Sequence, residues 1–310
     1  MPETDAESSP KLDNTRVPWW LWPNVLALDA PLVAVTWLYF FVGVLDIHLF
    51  PHIYWILGLT VWLIYTADHL WDGLRLTNHD TATHRHRFAA NYTLPIFAFF
   101  CLGLGILVYL LLFKAEGVLT TYIDGGRLVI PPYPFFLLLM VVGYFIGRMA
   151  NVPGFPKEVL CGTIFALGVL CPVTVLSNWI AVQPNAGLVG NLLEILKPEI
   201  WLFALLCSVN CIAISFWEYD ADKDNDPASA RRHEQHQQWP RLAILIAGIS
   251  LLFVILESTF STRVVCAAVA LSAILLFALS KFGTRFSPPL NRTLADAALL
   301  APWVLVLFLV

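Results

Sequence analysis

Apolar residues fill this chain in blocks of about twenty, separated by short polar stretches rich in Asp, Arg, Asn, Pro and His. A helix needs about 20 mostly apolar residues to cross the hydrocarbon of a bilayer. Nine blocks meet that pattern, at roughly 24–44, 51–70, 92–113, 132–150, 158–178, 199–217, 240–257, 262–281 and 290–309. The shortest reads "PRLAILIAGISLLFVILE", and its place in the series rests on the block after it. The pattern predicts an all-α integral membrane protein, a nine-transmembrane-helix bundle.

Composition supports that class. With 58% hydrophobic and 13% charged residues, and a mean hydropathy of +0.72, the chain carries more apolar surface than one soluble core can hide. The opening "MPETDAESSPKLDNTR" is polar and lacks the apolar core of a cleaved signal peptide. We read 1–18 as a disordered tail and 19–310 as one transmembrane domain. Trp19, Trp20 and Trp22, just before the first block, are placed as a headgroup-level anchor.

Lys and Arg stay on the cytoplasmic side of the spans they flank. Counting alternate loops leaves only Lys114, Arg127, Lys197 and Arg263 on one side, with the other fourteen opposite. That asymmetry predicts a cytoplasmic N terminus and an external C terminus. Nothing in the charge pattern asks for nucleic acid. All six cysteines lie inside predicted spans and read as small packing residues. The sequons at Asn91 and Asn291 face the cytoplasm on this topology.

Acidic residues interrupt the basic inner face at two places. The second block ends in "YTADHLWDGL", with Asp68 and Asp72, and the sixth in "FWEYDADKDND", with Glu218, Asp220, Asp222, Asp224 and Asp226. Asp68 and Asp72 stand at i and i+4, so on a continuous helix both carboxylates share a face, with Tyr65 and Arg75 on the same stripe. Glu218 with Asp222, and Asp220 with Asp224, repeat the spacing. Paired carboxylates suit Mg²⁺, which takes one or two of them and completes its shell with water and phosphate oxygens. Two pairs on one face fit a diphosphate held through metal ions, with nearby Arg and Lys offsetting its charge. The plainer alternative is that these acids are solvated or pair locally with His69, Arg75 and Lys223.

The layout of nine spans, with aspartate-rich motifs after the second and the sixth, resembles the UbiA-type intramembrane prenyltransferase superfamily. "FPKEVLCGTIFALG", Phe155 to Gly168, is similar to that family's fourth cytoplasmic loop and fifth span, and "NRTLADAALLAP" to its closing helix. The likeness runs from about Ala27 to the end. Two positions depart from it: Ile64 stands where the first motif usually opens with Asn, and the second, usually opened by Asp, either opens with Glu218 or is displaced by two residues to Asp220. The resemblance implies Mg²⁺-dependent transfer of a prenyl group from its diphosphate to an aromatic or other lipophilic acceptor, in a multi-pass protein of a bacterial inner membrane. On that basis Asp68 and Asp72 bind one Mg²⁺. Glu218 and Asp222, helped by Asp220 or Asp224, bind the other. Arg148, Lys157 and Arg75 hold phosphate oxygens, and Tyr65 and Asn210 line the pocket below, although Asn210 equally suits a hydrogen bond between packed helices. Diphosphate departure leaves an allylic cation, which aromatic faces in a dry pocket would stabilise.

Two other classes compete. His79, His84, His86, His233 and His236 sit in the same two cytoplasmic loops, as iron-binding His boxes of membrane oxidases do, but no adjacent His pair occurs. A transporter, or a UbiA-like protein without catalysis, is the other reading; its hint is Asp29 beside Pro31 in the first block. Asp296 is expected to pair with Arg292 one turn away.

Overall fold

The computed structural model describes residues 17–76, 82–114, 122–124, 127–129, 132–150, 156–180, 197–225 and 233–309. Most of the expected tail, His79 and Asp226 lie outside these residues. Every apolar block forms helix. The elements are α1 (Trp22–Val25), α2 (Asp29–Val44), α3 (Pro51–Leu74), α4 (His84–Asn91), α5 (Thr93–Phe113), α6 (Pro132–Met149) and α7 (Lys157–Ile180). They continue with α8 (Pro198–Trp217), α9 (Tyr219–Asn225), α10 (His233–His236), α11 (Trp239–Leu256), α12 (Phe260–Phe282), α13 (Pro288–Ala298) and α14 (Pro302–Leu309). A short antiparallel pairing of Tyr122–Asp124 with Arg127–Val129 lies between α5 and α6.

Among the described residues six helices are long and apolar enough to cross a membrane, or seven if the bent pair at the start counts as one span. The first and last expected spans are not single straight helices. Trp19–Val25 meets α2 at 80°. The bend sits at Ala27, whose φ of 55° no helix interior adopts, and Asn24 Nδ2 locks it by donating to Asp29 Oδ2 at 2.6 Å. The last block breaks between α13 and α14, because Pro302 has no N–H to continue the ladder. The buried indole of Trp37 uses that break, donating through Nε1 to Leu299 O at 2.8 Å.

α3 runs 24 residues, roughly 36 Å at 1.5 Å per residue, and carries Asp68 and Asp72 inside the helix. It ends at Leu74, so Arg75 leaves the expected stripe and lies over the Trp71 ring at 4.7 Å. Just before that end, Gly73 lets α4 come in close: a Cβ there would sit 2.9 Å from the Ala89 and Ala90 backbone. A tighter crossing joins α7 to α8, where a Cβ on Gly162 would stand 2.3 Å from Ser208 N. Small residues at such crossings let helix backbones touch, the usual packing device in lipid. α8 has α7, α11, α12 and α13 as neighbours. Trp37, Phe40, Phe41 and Phe203 fill the centre, all nearly inaccessible. α5 is the opposite case, with Gly103 and Leu107 its buried residues and long apolar side chains on the outside. A helix that is apolar all round and mostly uncovered calls for lipid as its solvent.

Candidate functional site

The two close approaches bring the acidic motifs to one cavity of about 130 Å³. α3 supplies Tyr65, Asp68 and Asp72, α4 Arg85 and His86, and α6 Tyr144 and Arg148. α7 adds Lys157, Glu158 and Cys161, α8 Asn210, Cys211 and Ser215, and α13 Arg292 and Asp296. Glu218, directly after α8, closes the ring.

Like charges four residues apart repel, and here one guanidinium offsets both. Arg148 Nε lies 2.9 Å from Asp68 Oδ1, and its Nη2 donates to Asp72 Oδ1. His86 Nε2 stands 3.3 Å from Asp72 Oδ2. The partners of Asp68 and Asp72 are therefore on α6 and α4, not the sequence neighbours His69 and Arg75, whereas Lys223 does pair locally, with Asp220; His69 is buried in the bundle. Asp68 Oδ1 faces Arg148 without a hydrogen bond of good geometry, leaving a buried acceptor able to take a ligand.

Glu218 caps the C-terminal end of α8, where exposed carbonyls disfavour an anion. Its carboxylate is buried and held by two cations: Arg85 Nη2 donates to Oε2 at 2.9 Å, and Arg292 Nη1 reaches Oε1 at 3.2 Å and Oε2 at 3.1 Å. Arg292 is thus not paired with Asp296 as expected. The two reach different levels of α8, Arg292 its C-terminal cap and Asp296 a point two turns earlier, where Asp296 Oδ1 accepts from Asn210 Nδ2 at 3.0 Å. Asp220 points to solvent, paired with Lys223 at 3.3 Å. The side chains of Asp222 and Asp224 lie outside the described residues.

Glu158 is a buried acid that sequence reading passed over. Ser215 Oγ donates to its Oε1 at 3.4 Å, and His236 Nε2 lies 3.9 Å from Oε2. The remaining histidines disperse. His233 stacks on Phe216 and packs at a tilt against Tyr219, and burial, with Arg87 nearby, holds the His84 imidazole below its ordinary pKa. Among the described residues no three His, Cys, Asp or Glu side chains converge to hold a metal ion. A pair such as Asp68 and Asp72 is nonetheless what Mg²⁺ takes when phosphate oxygens and water complete its shell. That one cation already spans both carboxylates fits them to a single divalent ion.

Below this polar ring a second hollow, about 30 Å³, shares Ala30, Tyr65, Asn210, Cys211 and Asp296 with the first. Val33, Gly162, Phe165, Cys207 and Leu299 make up its other walls. Tyr65 OH lies 3.9 Å from Cys161 Sγ, and Asn210 Oδ1 is buried with no donor. Of the expected substrate-binding residues, Tyr65, Arg148, Lys157 and Asn210 line the cavity, while Arg75 does not. Arg85, His86, Glu158 and Arg292 join it unexpectedly. The cluster "HRHR" after the first motif was the visible signal for Arg85 and His86, while Glu158 and Arg292 stood unremarked within "FPKEVLCGTIFALG" and "NRTLADAALLAP". No family model matches the chain, and neither a curated protein nor a solved structure is significantly similar to it.

Proposed function

We propose that this chain is an intramembrane prenyltransferase of UbiA type, moving a prenyl group from its diphosphate to an aromatic or other lipophilic acceptor with Mg²⁺. The observation that carries the reading is the cavity's polarity. Paired carboxylates and several cations line it, and a smaller hollow walled in part by Val33, Phe165 and Leu299 adjoins it among helices suited to lipid. A molecule with a charged head and a hydrocarbon tail matches that gradient.

In this reading Asp68 and Asp72 hold Mg²⁺, which supplies charge neutralisation for the departing diphosphate. Arg148, now shared between the two carboxylates, is the group closest at hand to turn toward phosphate oxygens as the carboxylates take a metal. Lys157 lines the same mouth. Tyr65 and Tyr144 offer aromatic faces near the bond that breaks. Asn210 Oδ1, lacking a donor, suits a hydroxyl of the acceptor. Glu218, Asp220, Asp222 and Asp224 form the second motif. Glu218 would have to release an arginine to bind metal, and Asp220 would have to turn inward. The topology proposed with this function has nine crossings, two of them through the broken first and last helices. The N terminus is cytoplasmic, in a bacterial inner membrane.

The test is transfer itself. Purified protein, labelled farnesyl or geranylgeranyl diphosphate and an extract of membrane lipids as acceptor should give a labelled lipophilic product that requires Mg²⁺. Asp68→Asn should lower its rate by about 100-fold or more. Product formed equally in chelator would reject the reading.

A further inference from the structure

The Glu218 corner is built differently from the Asp68 and Asp72 side. One buried carboxylate there carries two guanidiniums, from α4 and α13. Both cations line the cavity. Arg292 is 7% exposed, and its Nε–H is buried with no acceptor. A buried charged donor left unpaired is costly, and a guanidinium fork matches the oxygens of a phosphate. Glu218 fixes the two forks where a cation alone at a helix end would be free to turn away.

We propose that Arg85 and Arg292, positioned by Glu218, form a direct binding corner for a phosphate group, with no metal ion between Glu218 and the phosphate. The inference rests on the prenyl-transfer reading for the source of that phosphate, the head of the donor. It changes the second motif's role: Glu218 is a positioning residue for two arginines, and the metal requirement lies elsewhere. The substitution of Glu for the usual Asp follows, since the longer side chain reaches both Arg85 and Arg292 from the end of α8.

Titration calorimetry of the full-length protein with inorganic pyrophosphate, in EDTA, tests the corner apart from any metal. Wild type should bind. Arg292→Gln should weaken binding by about tenfold or more. Equal affinity of wild type and Arg292→Gln, or no binding by wild type, overturns the proposal. If Arg292→Gln does not fold, Arg292→Lys decides, since it keeps the charge and loses the fork: weaker binding supports the corner, and unchanged affinity overturns it. Repeating the titration in nanodiscs of phosphatidylcholine, with and without phosphatidylglycerol, separates two sources of the phosphate. Competition by the anionic lipid assigns the corner to a lipid headgroup, and none assigns it to a soluble diphosphate. Failure of the prenyl-transfer reading would look different, leaving Arg292-dependent pyrophosphate binding intact while prenyl diphosphate binding showed no need of Mg²⁺ or Asp72.

Discussion

Arg148 holds Asp68 and Asp72 together, and each of those acids is partly shielded from water. Removing it leaves two like charges facing each other on one helix turn. Arg148→Gln should therefore destabilise the protein by about 2 kcal/mol, less than a fully buried pair would cost because the carboxylates retain some solvent. Added Mg²⁺ should recover much of that loss, read as a rise in Tm larger than in wild type. A Tm that ignores Mg²⁺ would mean the pair holds no metal. Asp68 and Asp72 were legible because their i,i+4 spacing depends only on α3 being helical. Arg85, Arg148 and Arg292 were less so, since 17, 80 and 224 residues separate them from Asp68 and only tertiary packing brings them in. The nearest cation in sequence, Arg75, misled for a local reason: the helix ends one residue before it.

At the scale of elements, glycine sets the site's geometry. Gly162 allows α7 and α8 to touch, placing Lys157 and Glu158 beside Asn210 and Ser215, and Ser208 Oγ adds a hydrogen bond to Val159 O at 3.3 Å. Gly162→Ala should cost about 3 kcal/mol, because its methyl would press on backbone that cannot yield locally. Gly143→Ala, with nothing within 4 Å of the added carbon, should be neutral or stabilise by up to about 1 kcal/mol. Thermal unfolding of both in one detergent compares them, and equal Tm values would contradict the packing described. Block lengths foretold the long apolar helices, since lipid demands a run near twenty residues whatever the fold, while the short helices α4, α9 and α10 fall outside every block. They did not foretell the breaks at Ala27 and Pro302, where the chain bends within an apolar run to satisfy Asn24 with Asp29 and Trp37 with Leu299.

For the whole molecule, the proposed function makes the cavity a boundary between two solvents. Its ionic ring is made by residues from α3, α4, α6, α7, α8 and α13, and the hollow beside it by apolar residues of α2 and α7 together with Asn210 and Asp296. No single element contains it, so sequence displayed its two acidic halves and concealed their distance and their arginines. The central claim is that this boundary receives a prenyl diphosphate by its charged head. Binding of a non-hydrolysable prenyl diphosphate analogue to the purified protein, with and without Mg²⁺, on wild type and Asp72→Asn, tests it most directly. The account predicts that Mg²⁺ tightens binding to wild type by about tenfold or more and does nothing for Asp72→Asn. Mg²⁺-independent binding, equal in both proteins, would contradict it.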